Sequence, residues 1–147
     1  MKRGILKILC AAFLLCGLLA CSKDDIDTGK LRGRWHVENI DGVVTEEPEY
    51  WTFNGQGALD IRIPVAPPGS SGDSRWGEYN FSYIYQLEDD GKTLMVIEPM
   101  FGGKASWARF RIGKCTREEL SITLKDIWVR EDSDFGFGDK YSFRRAD

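Results

Sequence analysis

Very few residues in this chain could do chemistry. Its one histidine is His36, and its four cysteines stand at positions 10, 16, 21 and 115. A serine or cysteine nucleophile needs a base beside it, and a zinc site needs three or four protein ligands. A single imidazole assembles neither. Parity with Arg34 and Glu38 turns His36 outward from an extended segment. The acidic pairs Asp24-Asp25, Glu46-Glu47, Asp89-Asp90 and Glu118-Glu119 sit among tether and turn residues, where both members are solvated. Acid–base catalysis needs two carboxylates in different environments, which such pairs do not offer. Asp132-x-Asp134-x-Gly136 has the spacing that opens a calcium loop but lacks the third acid and the closing glutamate. No glycine-rich phosphate loop follows a strand. The expectation is a non-enzyme with no catalytic residue, no metal and no cofactor.

One thiol is nevertheless placed for a reaction. Met1-Lys2-Arg3 is basic, residues 8–19 are uncharged and apolar, and Leu18-Leu19-Ala20-Cys21 gives way to Ser22-Lys23-Asp24-Asp25. A basic start, a short apolar run and a small residue before the cleavage point make a secretory signal. The uncharged run of residues 8–22 is shorter than the roughly 20 residues that span a bilayer. Ala20-Cys21 resembles the lipobox of bacterial lipoproteins. That resemblance implies that Cys21 becomes a diacylglyceryl, N-acylated first residue with palmitate-type chains. Cys10 and Cys16 each follow a leucine and do not fit. Each buried methylene adds about 0.8 kcal/mol, so three chains would anchor the protein stably. Ser22 is not the aspartate that holds enteric lipoproteins at the inner membrane. Lys23-Asp24-Asp25-Ile26-Asp27 is similar to the acidic export signal of Bacteroidetes-type surface lipoproteins, and it also reads as a solvated tether. The expectation is an outer-membrane lipoprotein facing the cell exterior, with the membrane as partner through its anchor.

Without residues 1–20 the chain keeps 127 residues, enough for one domain, with 17 basic against 23 acidic side chains. An acidic surface with no basic stripe argues against a nucleic-acid partner. With Cys21 acylated only Cys115 remains, so no intrachain disulfide can form. The protein is expected to be a monomer. The division reads as a signal peptide at 1–20, an acidic tether at 21–30 and one domain at 31–147.

That domain shows period-two alternation between turn residues, the pattern of antiparallel strands. Strands are expected at 33–40, 50–54, 58–63, 77–87, 93–98, 106–114, 119–125 and 140–145. The clearest, 77–87, turns Tyr79, Phe81, Tyr83, Tyr85 and Leu87 to one face. Asn54-Gly55-Gln56-Gly57 and Glu88-Asp89-Asp90-Gly91 read as turns. Eight strands and no helix predict an all-β, eight-stranded antiparallel up-and-down barrel, closed so that no edge is exposed.

Leu31-Arg32-Gly33-Arg34-Trp35 resembles the Gly-x-Trp motif of lipocalins. Trp51-Thr52-Phe53-Asn54-Gly55, Leu120-Ser121-Ile122-Thr123-Leu124 and Tyr141-Ser142-Phe143-Arg144-Arg145 are similar to the lipocalin-like domains of small Bacteroidetes lipoproteins. The second lipocalin signature and the helix after the last strand are absent. The resemblance implies that Gly33 and Trp35 close one barrel end and that Arg145, inward by parity with Tyr141 and Phe143, covers the indole.

Eight strands leave an interior that side chains can fill or that can hold one small molecule. A small hydrophobic or aromatic ligand would meet Tyr79, Phe81, Tyr83, Tyr85, Trp51 and Phe110. The alternative is a packed barrel acting as an interaction module through its loops. Two loops stand out. Residues 64–75 are rich in proline, glycine and serine. Residues 128–139 set Trp128, Phe135 and Phe137 among acids and glycines, and those rings could line a binding mouth or fold back to cap the barrel, with capping the favoured reading.

Overall fold

The computed structural model describes residues 27–65, 77–100 and 102–146. The signal segment, Cys21 and the export-like run up to Ile26 lie outside the described residues, as do residues 66–76 of the long loop.

Nine antiparallel strands are present: β1 (Gly33–Ile40), β2 (Val43–Val44), β3 (Tyr50–Phe53), β4 (Ala58–Val65), β5 (Gly77–Glu88), β6 (Thr93–Ile97), β7 (Trp107–Cys115), β8 (Glu119–Trp128) and β9 (Lys140–Arg145). Each pairs with the next around the sheet, and β9 returns to β1, so eight of them form a closed up-and-down barrel. No α-helix occurs among the described residues. The one strand missing from the sequence reading is β2. Asp41 and Gly42 take φ of 54° and 81° in a two-residue turn that pairs Ile40 with Val43. Asp-Gly at such a turn is a strong hairpin signal. The short arm stands outside the barrel, with Val43 and Val44 exposed.

Alternation puts Trp35, Val37, Trp51, Phe53, Leu59, Ile61, Leu94, Val96, Phe110, Ile112, Leu120, Ile122, Tyr141 and Phe143 inside. Between Val37 and Asn39 the β1–β9 register shifts by a β-bulge. The bulge switches the inward parity, so Ile40 packs on the same core as Trp35 and Val37. Trp51 is the hub: its ring lies 5.1–6.4 Å, centroid to centroid, from those of Phe53, Phe110, Phe137, Tyr141 and Phe143. Burying so many large rings in contact is the main source of stability for a domain with no disulfide.

One end is closed. A 3-10 turn at Thr28–Lys30 packs there, and the Asp27 N–H donates to the Cys115 carbonyl at 2.8 Å. The stretch read as a tether is thus attached to the barrel from Asp27 onward. Leu31 is buried beneath the turn, and the Trp35 indole N–H donates to its carbonyl at 2.8 Å. Cys115 ends β7 fully buried, just before the turn at residues 116–119, and burial pushes its thiol up to about 11.

Candidate binding cleft at the barrel mouth

The opposite end is shaped by the uneven pairing of β5. Residues from Gly77 to Tyr83 bond to β4 alone, because the β6 partnership begins only at Ile84. The upper half of β5 therefore outruns the rim, and Tyr79 and Phe81 are 61% and 41% exposed. Leu87, beyond the reach of β4 at the other end, is also partly open. The expectation that Tyr79 to Leu87 form one buried inner row is corrected accordingly: Tyr85 is buried, Tyr83 is half-buried, and the rest are exposed.

Three positions expected to line a ligand cavity, Tyr85 among them, are packed core instead. Trp51 and Phe110 meet edge to face at 6.4 Å, and Tyr85 meets Phe53 edge to face at 5.0 Å. All three are buried, so they form the barrel filling and not a cavity wall.

The cap over that filling is the β8–β9 loop, residues 129–139; Trp128 belongs to β8, where Lys104 Nζ lies 4.2 Å from its ring centroid. Phe135 is 6% exposed, and Phe137 packs against both Trp51 and Phe110, at 5.6 and 5.3 Å. Phe135 and Phe137 meet edge to face at 5.0 Å, and both touch Tyr83, at 5.5 and 5.9 Å. Polar contacts fix the loop in this form. Ser133 Oγ donates to Glu98 at 2.7 Å and accepts from the Phe135 N–H at 3.0 Å. The Gly138 N–H donates to Tyr141 Oη at 2.8 Å, and Asp41 Oδ1 accepts from the Asp139 and Lys140 N–H groups at 2.9 and 2.8 Å. A Cβ at Gly138 would lie 2.5 Å from Ile40 Cγ2, so the backbone passes where only glycine fits.

Between this cap and the projecting β5 two clefts remain, on either side of Phe81 and Tyr83. The first, about 350 Å³, is walled by Ile61, Ile63, Phe81, Tyr83, Phe137 and Tyr141, with Glu49 and Asp134 at its polar side. The second, about 290 Å³, runs between Phe81, Tyr83, Met100 and Phe135 and carries Glu98, Asp132 and Asp134. Phe81 and Tyr83 lie parallel, 6.3 Å apart and 1° from coplanar orientation, and present a two-ring strip. Burial, and then the charge of Glu98, hold the Tyr83 phenol above its ordinary range. Burial also raises the Tyr141 phenol, against the Gly138 hydrogen bond.

The sequence reading set four acidic pairs among solvated tether and turn residues and passed over Glu49. It shares the inward parity of Trp51 and Phe53, accepts from the Trp51 indole N–H at 2.7 Å, and is held above the usual carboxylate range by burial. That parity was a usable signal. The roles of Glu98 and Asp134 had none, because they depend on how two loops meet. Asp132, the start of the calcium-like spacing, is paired with Arg130 at 2.7 Å. No cluster of three metal-ligating side chains occurs among the described residues.

No protein-family model matches the chain, and no curated protein matches it. Among solved structures, a lipocalin-like protein from Bacteroides uniformis is similar, with a TM-score of 0.50 at 18% identity, over 80% of this chain and 100% of that one. At that identity the likeness concerns the fold. The chain carries a lipocalin-like, eight-stranded antiparallel barrel.

Proposed function

We propose that the chain is a lipid-anchored, lipocalin-like barrel that binds a small apolar or aromatic molecule in the cleft at its mouth, a binding and not a catalytic role. One observation carries the reading. The interior is occupied by packed rings around Trp51, while an aromatic cleft of about 350 Å³ stays open between the cap and β5, beside Phe81, Tyr83 and Phe137. Apolar clefts with a few convergent polar groups are the usual small-molecule sites.

The anchor is proposed at Cys21, behind Ala20, in the outer membrane and facing the exterior on the strength of Lys23-Asp24-Asp25-Ile26-Asp27. Asp27 joins the barrel at its closed end. Residues 21–26 reach at most about 20 Å when extended. An acylated Cys21 would keep the closed end near the bilayer and turn the mouth away from it.

Residues 22–147 contain every core residue described, so that fragment serves for titration with fatty-acid and aromatic probes. Phe81→Ala should weaken binding of an aromatic probe with little loss of stability, since Phe81 is already partly exposed. Saturable binding that is indifferent to Phe81→Ala would contradict the site. Absence of binding by any probe would instead favour a second reading, supported by exposed Tyr79, Phe81 and Met100: a packed barrel whose mouth docks a protein. Cys21→Ser should abolish metabolic labelling with an alkyne fatty acid, and label retained in that variant removes the anchor.

A further inference from the structure

Barrel closure leaves one stretch of backbone unpaired. From Gly77 to Tyr83, β5 bonds to β4 on one side and to no strand on the other. The Tyr85 N–H donates to the Gly57 carbonyl at 2.9 Å, so the odd-numbered residues of β5 turn their main-chain groups to β4. The N–H and C=O groups of Glu78, Asn80 and Ser82 therefore face the open side. None of these groups has a hydrogen-bond partner among the described residues. Residues 77–82 are all exposed, and the second cleft separates Phe81 from Met100 of the facing loop. The Glu78 and Ser82 side chains do not blunt the edge, because they reach back across β4 to Arg62 and to Asp60. An uncovered edge of this length is a template for another strand.

We infer that this edge pairs with the same edge of a second copy, antiparallel and centred on Asn80. Only that register sets every open group in a bonded pair: Asn80 meets Asn80, and Glu78 of each copy meets Ser82 of the other. Tyr79 of each copy then lies opposite Phe81 of the other, in the closer non-hydrogen-bonded positions where aromatic pairs stabilise a sheet. No carboxylate faces a carboxylate. The chain's own edge thus already carries the match that a foreign strand would have to supply. The second copy lies over the second cleft and leaves the first, on the β4 side, open. Antiparallel pairing points the two closed ends away from each other, so with anchors as proposed there it joins chains on facing membranes. A seven-residue edge is a small interface, so the dimer is weak and the expected monomer is the dilute form.

Sedimentation of residues 22–147 should show a monomer–dimer equilibrium that shifts with concentration. Asn80→Pro removes an edge donor that has no partner within the chain. It should weaken the dimer at least tenfold and leave the melting temperature near that of the parent. Cysteine substitutions read the register whatever the fate of the proline variant, since Cys115 is buried. Asn80→Cys should give a disulfide-linked dimer on oxidation, because the two positions face each other at about 5.5 Å between Cα atoms. Glu78→Cys alone should not, since its twin stands about 13 Å further along the strand. Mixing Glu78→Cys with Ser82→Cys should restore the link. Linkage at Glu78→Cys as ready as at Asn80→Cys, or a dimer indifferent to Asn80→Pro, overturns the pairing. A chain that stays monomeric up to about 1 mM overturns it too, and shift changes at Asn80 on adding an unrelated extended peptide would then assign the edge to a foreign strand.

Discussion

Arg145 lies across the indole of Trp35, its guanidinium carbon 3.9 Å from the ring centroid, at the point where the two residues are cross-strand partners. Its N–H groups donate to the carbonyls of Arg32 at 2.7 Å, Arg117 at 3.0 Å and Lys30. One side chain therefore joins the first strand, the last strand and the 3-10 turn at the closed end. Arg144, on the outer face, makes an exposed ion pair with Glu38 at 2.7 Å. Arg145→Ala should cost about 1–2 kcal/mol in urea melts, from the lost stack and hydrogen bonds. Arg144→Ala should cost less than about 1 kcal/mol, as surface pairs do. Equal losses would mean that the stack over Trp35 contributes nothing.

Glu49 gives stability an unusual pH dependence. Burial raises its folded-state pKa, so the folded protein holds this proton more tightly than the unfolded chain does. Its cost is absent below the ordinary carboxylate range, and it is fully in place once pH exceeds the raised value. Glu49→Gln keeps an acceptor for the Trp51 indole and removes the charge. The variant should be more stable than the parent at pH 7, with the gain shrinking as pH falls through the carboxylate range. A gain that grows toward acid would contradict the assignment.

The cap depends on glycine at position 138. Gly138→Ala sets a methyl 2.5 Å from Ile40 Cγ2 and 3.1 Å from Asp41 Oδ2. The loop must shift, at a cost of roughly 1–3 kcal/mol. Thermal denaturation reads the loss, and quenching of Trp51 fluorescence by acrylamide should rise as Phe137 lifts from it. Unchanged stability would show that the loop passes Ile40 with room to spare.

The barrel was legible in the sequence because its signals are local. Alternation at Trp35 and Val37, Leu59 and Ile61, or Leu120 and Ile122 needs only the pleat to become a core face. Arg145 could be assigned to the inner face by counting from Phe143. The mouth was not legible in the same way. The parity of β5 is as expected, but whether Tyr79 and Phe81 are covered depends on where β6 stops, which is a property of the neighbouring strand. Likewise Trp51 and Phe110 become filling and not cavity wall because Phe137, from a loop with no periodic pattern, packs against both.

The most direct test is to locate a bound probe by NMR. With labelled residues 22–147 and the aromatic probe whose binding depends on Phe81, saturable shift changes are expected at Ile63, Phe81, Tyr83 and Phe137, and none at Trp35, Phe53 or Leu59. Intermolecular contacts to Phe53 or Leu59, deep in the barrel, would show that the interior opens to ligand and would contradict a filled barrel with its site at the mouth.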